Sequence, residues 1–512
     1  MQLFYQRPGT FFAVVILFVS GWYIFFPDII PINRGLGFEG AMFYEAVAKD
    51  FYKSIFIDGT NSYSIQRVLP FGLLHYVFRL TGLPFTDSNM LRYFELYNIL
   101  IAGLIIGYWH RTARLLKLSD AATWIGYLGL LCNFATLKYD TYVPFTYDRT
   151  ALLVGIMSVY YHLAGRNGLL FITALISLAV WPTALFCNLV LLLVPANTRL
   201  STKDNKPLSI LWAVGCSVAC AVLCVYIIYL KQINMGYMVA PVIASLLPAS
   251  IVVISIYVAI TQYQIARVLL ADGAGLLAFT RYLLSRRQAL IYAATLVVAF
   301  LLLTKGLGTQ GNDHLNASTY LVNVVFGAVT RPLQALVSHS NYYGLPVVLA
   351  VVCWRQVGYA LRNLGLGIGG LFVLLLLLSV NSETRQMANL LPVLVIVTAR
   401  VASDMRISPR AIFFSVCMCL LQSKFWLRIN QFDPTFGQPN DQYPLGNAPG
   451  AEYVWNSPFQ AYFMNIGPWT SHQFWLLQAL TMLLMAIVVR WLYGPSTGAQ
   501  NPMTEEAGLI TK

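Results

Sequence analysis

The charged residues of this chain are few, and several of them lie in one stretch, residues 35–73, which follows the first apolar segment. The side chains there that could do chemistry are Glu39, Glu45, Lys49, Asp50, Lys53, Asp58 and Arg67. Carboxylates can accept protons, and an arginine guanidinium binds phosphate and other oxyanions. Because the flanking sequence is almost entirely apolar, we expect this stretch to lie against one face of a lipid bilayer. Charged residues kept at that position are typical of recognition or catalysis.

Composition predicts the class of protein that must position these residues. Of the 512 residues, 58% are hydrophobic and 10% are charged. Soluble domains contain about 25% charged residues. We therefore predict an all-α polytopic membrane protein. The net charge of +13 fits the retention of Lys and Arg on the cytoplasmic side of membrane proteins, so it does not indicate nucleic-acid binding.

Apolar runs indicate how the chain crosses the membrane, since one span needs about 20 mainly apolar residues. They predict a single domain over residues 1–493 with about 12–14 transmembrane helices. The predicted spans are 9–26, 94–110, 121–137, 150–164, two short helices within 169–194, 208–230, 238–261, 288–304, 345–360, 364–380, 387–401, 411–426 and 473–493. No small-residue cleavage site follows the first apolar run, so it is interpreted as a retained span. Trp181-Pro182 is expected to break the helix between the two short ones.

The loops are predicted from the same pattern. The first extracytoplasmic loop, 27–93, contains two segments with helical spacing of apolar residues, 41–56 and 68–80, which we interpret as interfacial amphipathic helices. Further extracytoplasmic loops are expected at 305–344 and 427–472, and a cytoplasmic tail at 494–512. This arrangement puts the whole net charge on the side of the termini, which the charge rule makes cytoplasmic. We expect a bacterial inner membrane and a functional site on the extracytoplasmic side.

Four short motifs occur in order along this predicted outer side. Residues 37–48 read GFEGAMFYEAVA, and QRVLP follows at 66–70. Tyr147-Asp148-Arg149 precedes the fourth span, and Glu383-Thr384-Arg385 precedes a Leu-Pro pair. Together these motifs resemble the first extracytoplasmic loop and later acidic elements of the GT-C glycosyltransferases, multi-span enzymes that take a sugar from a polyprenyl-phosphate carrier. The family more often has Asp where this chain has Glu39.

The resemblance implies a GT-C-like fold and a glycosyltransferase site. It implies catalytic roles for Glu39 and Asp148, and substrate or phosphate binding by Arg67, Arg149, Glu383 and Arg385. Glu39 would accept the proton of an acceptor hydroxyl as its oxygen attacks the anomeric carbon. The arginines would stabilise the departing phosphate. The implied partners are a polyprenyl-phosphate-linked sugar, membrane lipid, and a glycan, lipid or protein acceptor; a single displacement would invert the sugar.

These residues also have structural interpretations. Glu39 would be stabilised by the dipole at a helix start. Arg67 would reach lipid headgroups from a membrane boundary. Asp148 and Arg149 would form a local charge pair, and the late E-x-R motif would cap a tight turn between spans.

The sequence predicts no resident metal site. Histidines on the predicted outer side show no metal-ligand spacing. Cys216, Cys220 and Cys224 repeat every four residues, but no histidine or carboxylate lies near them. A divalent cation held partly by Asp148 is the one cofactor left open.

Two other functions are compatible with a polytopic chain. An O-antigen-type polymerase or ligase would use a diphosphate-linked donor and depend on Arg and His in outer loops. A transporter or flippase would be expected to show inverted repeats and ionisable residues near the middle of the membrane. The chain shows no repeat, and its charges gather at span ends.

Overall fold

The computed structural model describes residues 7–30, 32–37, 40–194, 196, 206–230, 241–269, 286–308, 317–428 and 472–493. The described residues form helices and connecting turns, with no strand among them. This confirms the predicted all-α fold class. The two predicted segments 429–471 and 494–512 lie outside the described residues, and so does Glu39.

The longer helices are numbered here in chain order. They are α1 Pro8–Phe25, α2 Gly40–Lys49, α3 Leu69–Thr81, α4 Asp87–Leu115, α5 Asp120–Leu131, α6 Asp148–Leu163, α7 Asn167–Ser177, α8 Ala184–Leu193, α9 Lys206–Val225, α10 Pro241–Leu269, α11 Arg287–Leu301, α12 Ala317–Val329, α13 Gln334–Tyr343, α14 Leu345–Val352, α15 Trp354–Leu364, α16 Leu366–Leu378, α17 Leu391–Ser403, α18 Pro409–Ser423 and α19 His472–Leu492. Short 3-10 and π turns occupy several junctions, including 65–67, 135–139 and 384–387.

The long helices make this a multi-pass membrane protein. Among the described residues, 6 helices are long and apolar enough to cross a bilayer, within α1, α4, α9, α10, α11 and α19. The pair α14 and α15 would form another span, but it bends by 101°. Other apolar helices, such as α7, α8 and α17, have 10–17 residues. Many residues of α5, α6 and α17 are buried inside the protein, so these helices contact protein more than lipid.

Local sequence determines where the helices begin. Thr86, Ser119 and Ser408 each accept a hydrogen bond from a backbone N–H in the first turn of α4, α5 and α18. Proline occupies the first helical position of α1, where a missing N–H costs nothing. These are the standard ways of satisfying the free N–H groups of a helix start.

The first loop contains the two predicted helices. α2 covers most of the segment predicted at 41–56, and a π turn at 53–57 follows it. α3 matches the segment predicted at 68–80. The chain also breaks between α7 and α8 at Trp181-Pro182, as predicted. One predicted span differs: the chain bends by 101° at Cys353, within the segment predicted at 345–360.

The helix directions define two ends of the bundle. At the first, here called the loop end, lie the starts of α3, α6 and α8 and the turn 384–387. At the opposite end, the basic end, α4, α6, α8 and α17 finish. The described charges at the basic end include Arg111, Arg114, Lys117, Arg166, Arg286, Arg287, Arg362, Arg400, Arg406 and Arg410, with Asp120 and Asp404 as acidic residues. This is the cationic surplus that the charge rule associates with one face of a membrane protein.

A close backbone approach joins α6 to the segment before α17. A Cβ atom added at Gly155 would lie 2.2 Å from the carbonyl oxygen of Asn389. Only glycine allows this distance. The contact fixes α6, which begins with Asp148, against the segment that carries Arg385.

We expect Gly155→Ala to lower the free energy of unfolding by about 1–3 kcal/mol, because the two backbones must move apart. Thermal unfolding of the purified protein in detergent measures this. Gly107→Ala is the matched control: Gly107 lies in α4 with no heavy atom within 4 Å of its added Cβ. It should be neutral or slightly stabilising, since alanine favours helix. Equal behaviour of the two variants would contradict the close-approach argument.

Candidate functional site

The starts of several helices converge at the loop end. The backbone N–H of Leu69, at the start of α3, donates to the carbonyl of Ala179, in the break before α8 (3.0 Å). This bond brings the residues before α3 close to Trp181. The start of α6 and the turn 384–387 meet at the same place. The predicted residues Arg67, Asp148 and Arg385 are thereby brought to one end of the bundle.

Asp148 and Arg385 form a two-contact ion pair. Arg385 Nε donates to Asp148 Oδ2 at 3.0 Å, and Nη2 lies 3.4 Å from Oδ1. Both side chains are largely buried, with 8% and 18% of their surface exposed. Burial alone would lower the pKa of the Arg385 guanidinium, but the nearby Asp148 and Tyr139 raise it by more. The pKa of Arg385 is therefore well above its usual value. The guanidinium therefore stays charged at any physiological pH.

The backbone that carries Arg385 is clamped from α13. The hydroxyl of Tyr343 donates to the carbonyl of Thr384 at 3.1 Å. The ring of His339 joins the hydroxyl of Thr384 (3.0 Å) to the carbonyl of Ser379 (2.8 Å). Burial lowers the pKa of His339 to about 4, so the ring is neutral at physiological pH. These bonds hold the turn, and with it the direction of Arg385.

Arg67 lies in an aromatic enclosure. Its guanidinium carbon is 3.6 Å from the ring centre of Tyr63, 5.0 Å from that of Tyr147 and 5.6 Å from that of Trp181. These are cation–π distances. Tyr147 also joins Arg67 to the ion pair, because its hydroxyl is 3.5 Å from Arg385 Nη2. Arg67 and Arg385 therefore flank one tyrosine.

The positive charge of Arg67 is not balanced by a carboxylate among the described residues. The side chain is buried, and its Nε has no hydrogen-bond partner there. Burial raises the pKa of Tyr44, so this phenol stays protonated and neutral. A buried guanidinium with an unused donor is costly unless an anion completes it.

The helix starts add to this positive field. α6 and α8 have no side-chain cap on their first N–H groups, whereas at the start of α3 Leu69 and Phe71 donate to backbone carbonyls and Pro70 has no N–H. A helix start behaves as roughly half a positive charge and attracts anions. The arrangement therefore favours an anionic ligand beside Arg67 and Arg385.

Arg149 points away from this ligand position. Its Nε donates to Asp140 Oδ2 at 2.6 Å, and its Nη1 donates to the carbonyl of Asn98 at 2.9 Å. The interpretation of Asp148 and Arg149 as a local charge pair is wrong, because Asp148 pairs with Arg385 and Arg149 pairs with Asp140. Phosphate binding by Arg149 stays a prediction, but in this structure protein groups occupy its donors.

A small cavity separates the two ion pairs. Its volume is about 20 Å³, and its walls include Asp140, Asp148, Arg149 and Arg385 with the rings of Tyr342 and Tyr343. A space of this size holds about one water molecule. It is too small for a substrate, so the ligand position lies on the Arg67 side of the Asp148–Arg385 pair.

A larger cavity adjoins the turn 384–387, here called the arginine turn, and the hydrogen bonds from α13 that hold it. It measures about 370 Å³ and lies between α10, α13, α14, α15, α16 and α17, open on one side. Its walls are mostly apolar, and the polar side chains at one side include Tyr257, His339 and Ser379. Met387, two residues after Arg385, also lines it. An apolar space of this size beside a cationic turn fits a ligand with a hydrocarbon part.

The remaining predicted residues have the following positions. Glu383 is half-buried, and its Oε2 accepts a hydrogen bond from Gln386 Nε2 at 2.5 Å. Glu39 lies outside the described residues. No group of three or more His, Cys, Asp or Glu side chains with metal-binding geometry occurs in the described part of the chain.

Sequence reasoning missed the aromatic side chains and Asp140. Tyr63 and Arg67 are four residues apart, a spacing that brings side chains together on a helical turn. That signal was available in the sequence. Neither Trp181, which is distant from Arg67 in the sequence, nor Asp140, nine residues before Arg149, had such a signal.

Comparison of the chain with protein-family models, with curated proteins and with solved structures finds no match.

The Asp140–Arg149 pair predicts a pH dependence of stability. Burial raises the pKa of Asp140 to about 6 from an ordinary value of 3.8. A raised pKa means that the folded state takes up this proton more readily, so its contribution to stability grows as the pH falls through 6. We expect the wild type to gain about 1 kcal/mol relative to Asp140→Asn between pH 7.5 and pH 5.

Thermal unfolding of both proteins across this range in detergent measures the difference. Asp120→Asn, at an exposed residue of the basic end, is the control and should follow the wild-type curve. Parallel curves for the wild type and Asp140→Asn would contradict the raised pKa.

Proposed function

We propose that this membrane protein is a glycosyltransferase that takes a sugar from a polyprenyl-phosphate carrier on the extracytoplasmic side of a bacterial inner membrane. The observation that carries the proposal is Arg67, a buried cation with an unused donor beside the Asp148–Arg385 pair. The resemblance of the sequence motifs supports the same conclusion.

The donor phosphate fits this position in charge and geometry. Guanidinium groups bind phosphate through two parallel N–H donors, and the helix starts provide further N–H groups. Arg67 would bind the phosphate directly. Arg385, held by Asp148 and by the clamp on its turn, would stabilise the charge that grows on the leaving oxygen.

The carrier's hydrocarbon chain fits the apolar cavity. Its wall is shared with the arginine turn through Met387 and His339. A lipid whose phosphate lies at Arg67 and Arg385 would thus find an apolar space within reach. An unlinked nucleotide sugar would leave that space without a suitable occupant.

The reaction is a single displacement. The acceptor hydroxyl oxygen attacks the anomeric carbon, its proton passes to the Glu39 carboxylate, and the bond between the anomeric carbon and the phosphate oxygen breaks. The polyprenyl phosphate leaves with both electrons of that bond, and the sugar is inverted. Asp148 positions Arg385, and Glu383 contacts the acceptor or donor sugar.

The first test concerns donor binding. Arg67→Gln should weaken binding of a polyprenyl-phosphate sugar and reduce sugar transfer by about 100-fold, since one charged donor to the phosphate is lost. Arg79→Gln, an exposed arginine at the end of α3, is the matched control and should leave transfer unchanged. If Arg67→Gln transfers sugar as the wild type does, Arg67 does not bind the donor.

The second test concerns the chemistry. Purified protein is given radiolabelled polyprenyl-phosphate sugars and envelope acceptors. Glu39→Gln should abolish transfer and retain donor binding, because only the base is lost. Survival of transfer in Glu39→Gln with loss in Asp148→Asn would move the base to Asp148. Absence of transfer from any monophosphate donor by the wild type would contradict the proposal and favour a diphosphate-donor polymerase or a transporter.

A further inference from the structure

A second cavity lies at the basic end of the bundle, away from the site described above. It has a volume of about 240 Å³. It lies where α7 begins, α8 finishes and α11 begins, and Asn167, Leu192, Arg286, Arg287, Gln288 and Tyr292 line it. α8 runs from the loop end to this cavity. Its ten residues separate the two places by about 15 Å.

The polar wall of this cavity is cationic. Arg286 and Arg287 both line it, and the described lining residues include no carboxylate. Arg286 is held in place because its Nη1 donates to the carbonyl of Leu193 at 3.2 Å. Gln288 donates to the hydroxyl of Tyr292 at 2.9 Å. The wall therefore presents two guanidinium groups, of which Arg286 is held by its bond to Leu193, and it suits an oxyanion.

The other wall is apolar, and the cavity lies at a membrane boundary. Leu192 and Ala289 face it, and the ring of Tyr292 stacks on Phe171 with 4.4 Å between centres. α11 is one of the spanning helices, and it begins at Arg287. A ligand that fits here would have an anionic group at the membrane boundary and an apolar part inside the membrane. This combination is the chemistry of a phospholipid.

The size of the cavity selects a headgroup. Pockets for drug-sized molecules measure about 300–1,000 Å³, so this one takes a phosphate headgroup and not a whole nucleotide. Basic pockets between membrane helices on the cytoplasmic side are known to bind anionic lipid headgroups.

We propose that this cavity, formed by Arg286, Arg287, Asn167 and Tyr292, binds the phosphate headgroup of an anionic phospholipid. The lipid holds the ends of α7, α8 and α11 together at the basic end. This site is independent of the proposed glycosyl transfer and would stand if that proposal failed.

The test uses the full chain in phosphatidylcholine nanodiscs with increasing amounts of phosphatidylglycerol, and thermal unfolding is measured. Phosphatidylglycerol should stabilise the wild type in a saturable way. Arg286→Gln with Arg287→Gln should weaken the apparent affinity by about fivefold for each arginine. Arg406→Gln with Arg410→Gln removes the same charge from exposed positions of the same end, outside the cavity, and should leave the affinity unchanged.

The outcomes separate the alternatives. An equal loss in both double variants would mean diffuse surface attraction and would overturn the site. A wild-type protein that is equally stable in pure phosphatidylcholine and in nanodiscs with phosphatidylglycerol would overturn it as well. Stabilisation by inorganic phosphate or glycerol phosphate at the same affinity would replace the lipid by a soluble phosphate. If the Arg286 variant does not fold, Arg287→Gln against Arg410→Gln decides, because it leaves the Arg286 bond to Leu193 intact.

Discussion

Buried ion pairs hold the loop end of this protein together. Asp148 with Arg385 and Asp140 with Arg149 are both largely shielded from solvent, and Lys138 pairs with Asp28 in the same region. Removing one member of a buried pair costs about 3–5 kcal/mol, because the other charge is left without compensation. Each pair therefore restricts where its two segments can lie. The rest of the arrangement, including the aromatic enclosure of Arg67, depends on these fixed positions.

The same constraint separates arginines that support the structure from those that can bind a ligand. Arg149 has its donors occupied by a carboxylate and by backbone carbonyls. Arg67 is stabilised by aromatic faces, which attract a cation without neutralising it. Arg67, Arg149 and Arg385 look alike in the sequence but have three different environments. Any binding of an anion at this end of the bundle would depend on those differences and not on the number of charges.

The sequence predicted the class of fold well and the site only in part. Apolar runs and proline positions are local signals, so α2, α3 and the break at Trp181-Pro182 could be predicted. The convergence of Asp148 and Arg385 could not, since 237 residues separate them and only tertiary packing brings them together. The pairing of Arg149 with Asp140, nine residues earlier, was not predicted either, because Asp148 is the nearer carboxylate in the sequence. Helix lengths also differed, because a helix surrounded by protein need not match the thickness of a bilayer.

The clamp on the arginine turn has a consequence for how ligands bind. His339 lines the large apolar cavity, and its ring also holds Thr384, the residue before Arg385. The cavity wall and the turn that carries Arg385 are therefore joined through one side chain. If ligands bind at both places, coupling between them would be reciprocal. The binding free energy of a ligand with both parts would then differ from the sum for its two fragments. Measurements on headgroup fragments alone would not give the affinity of the whole ligand.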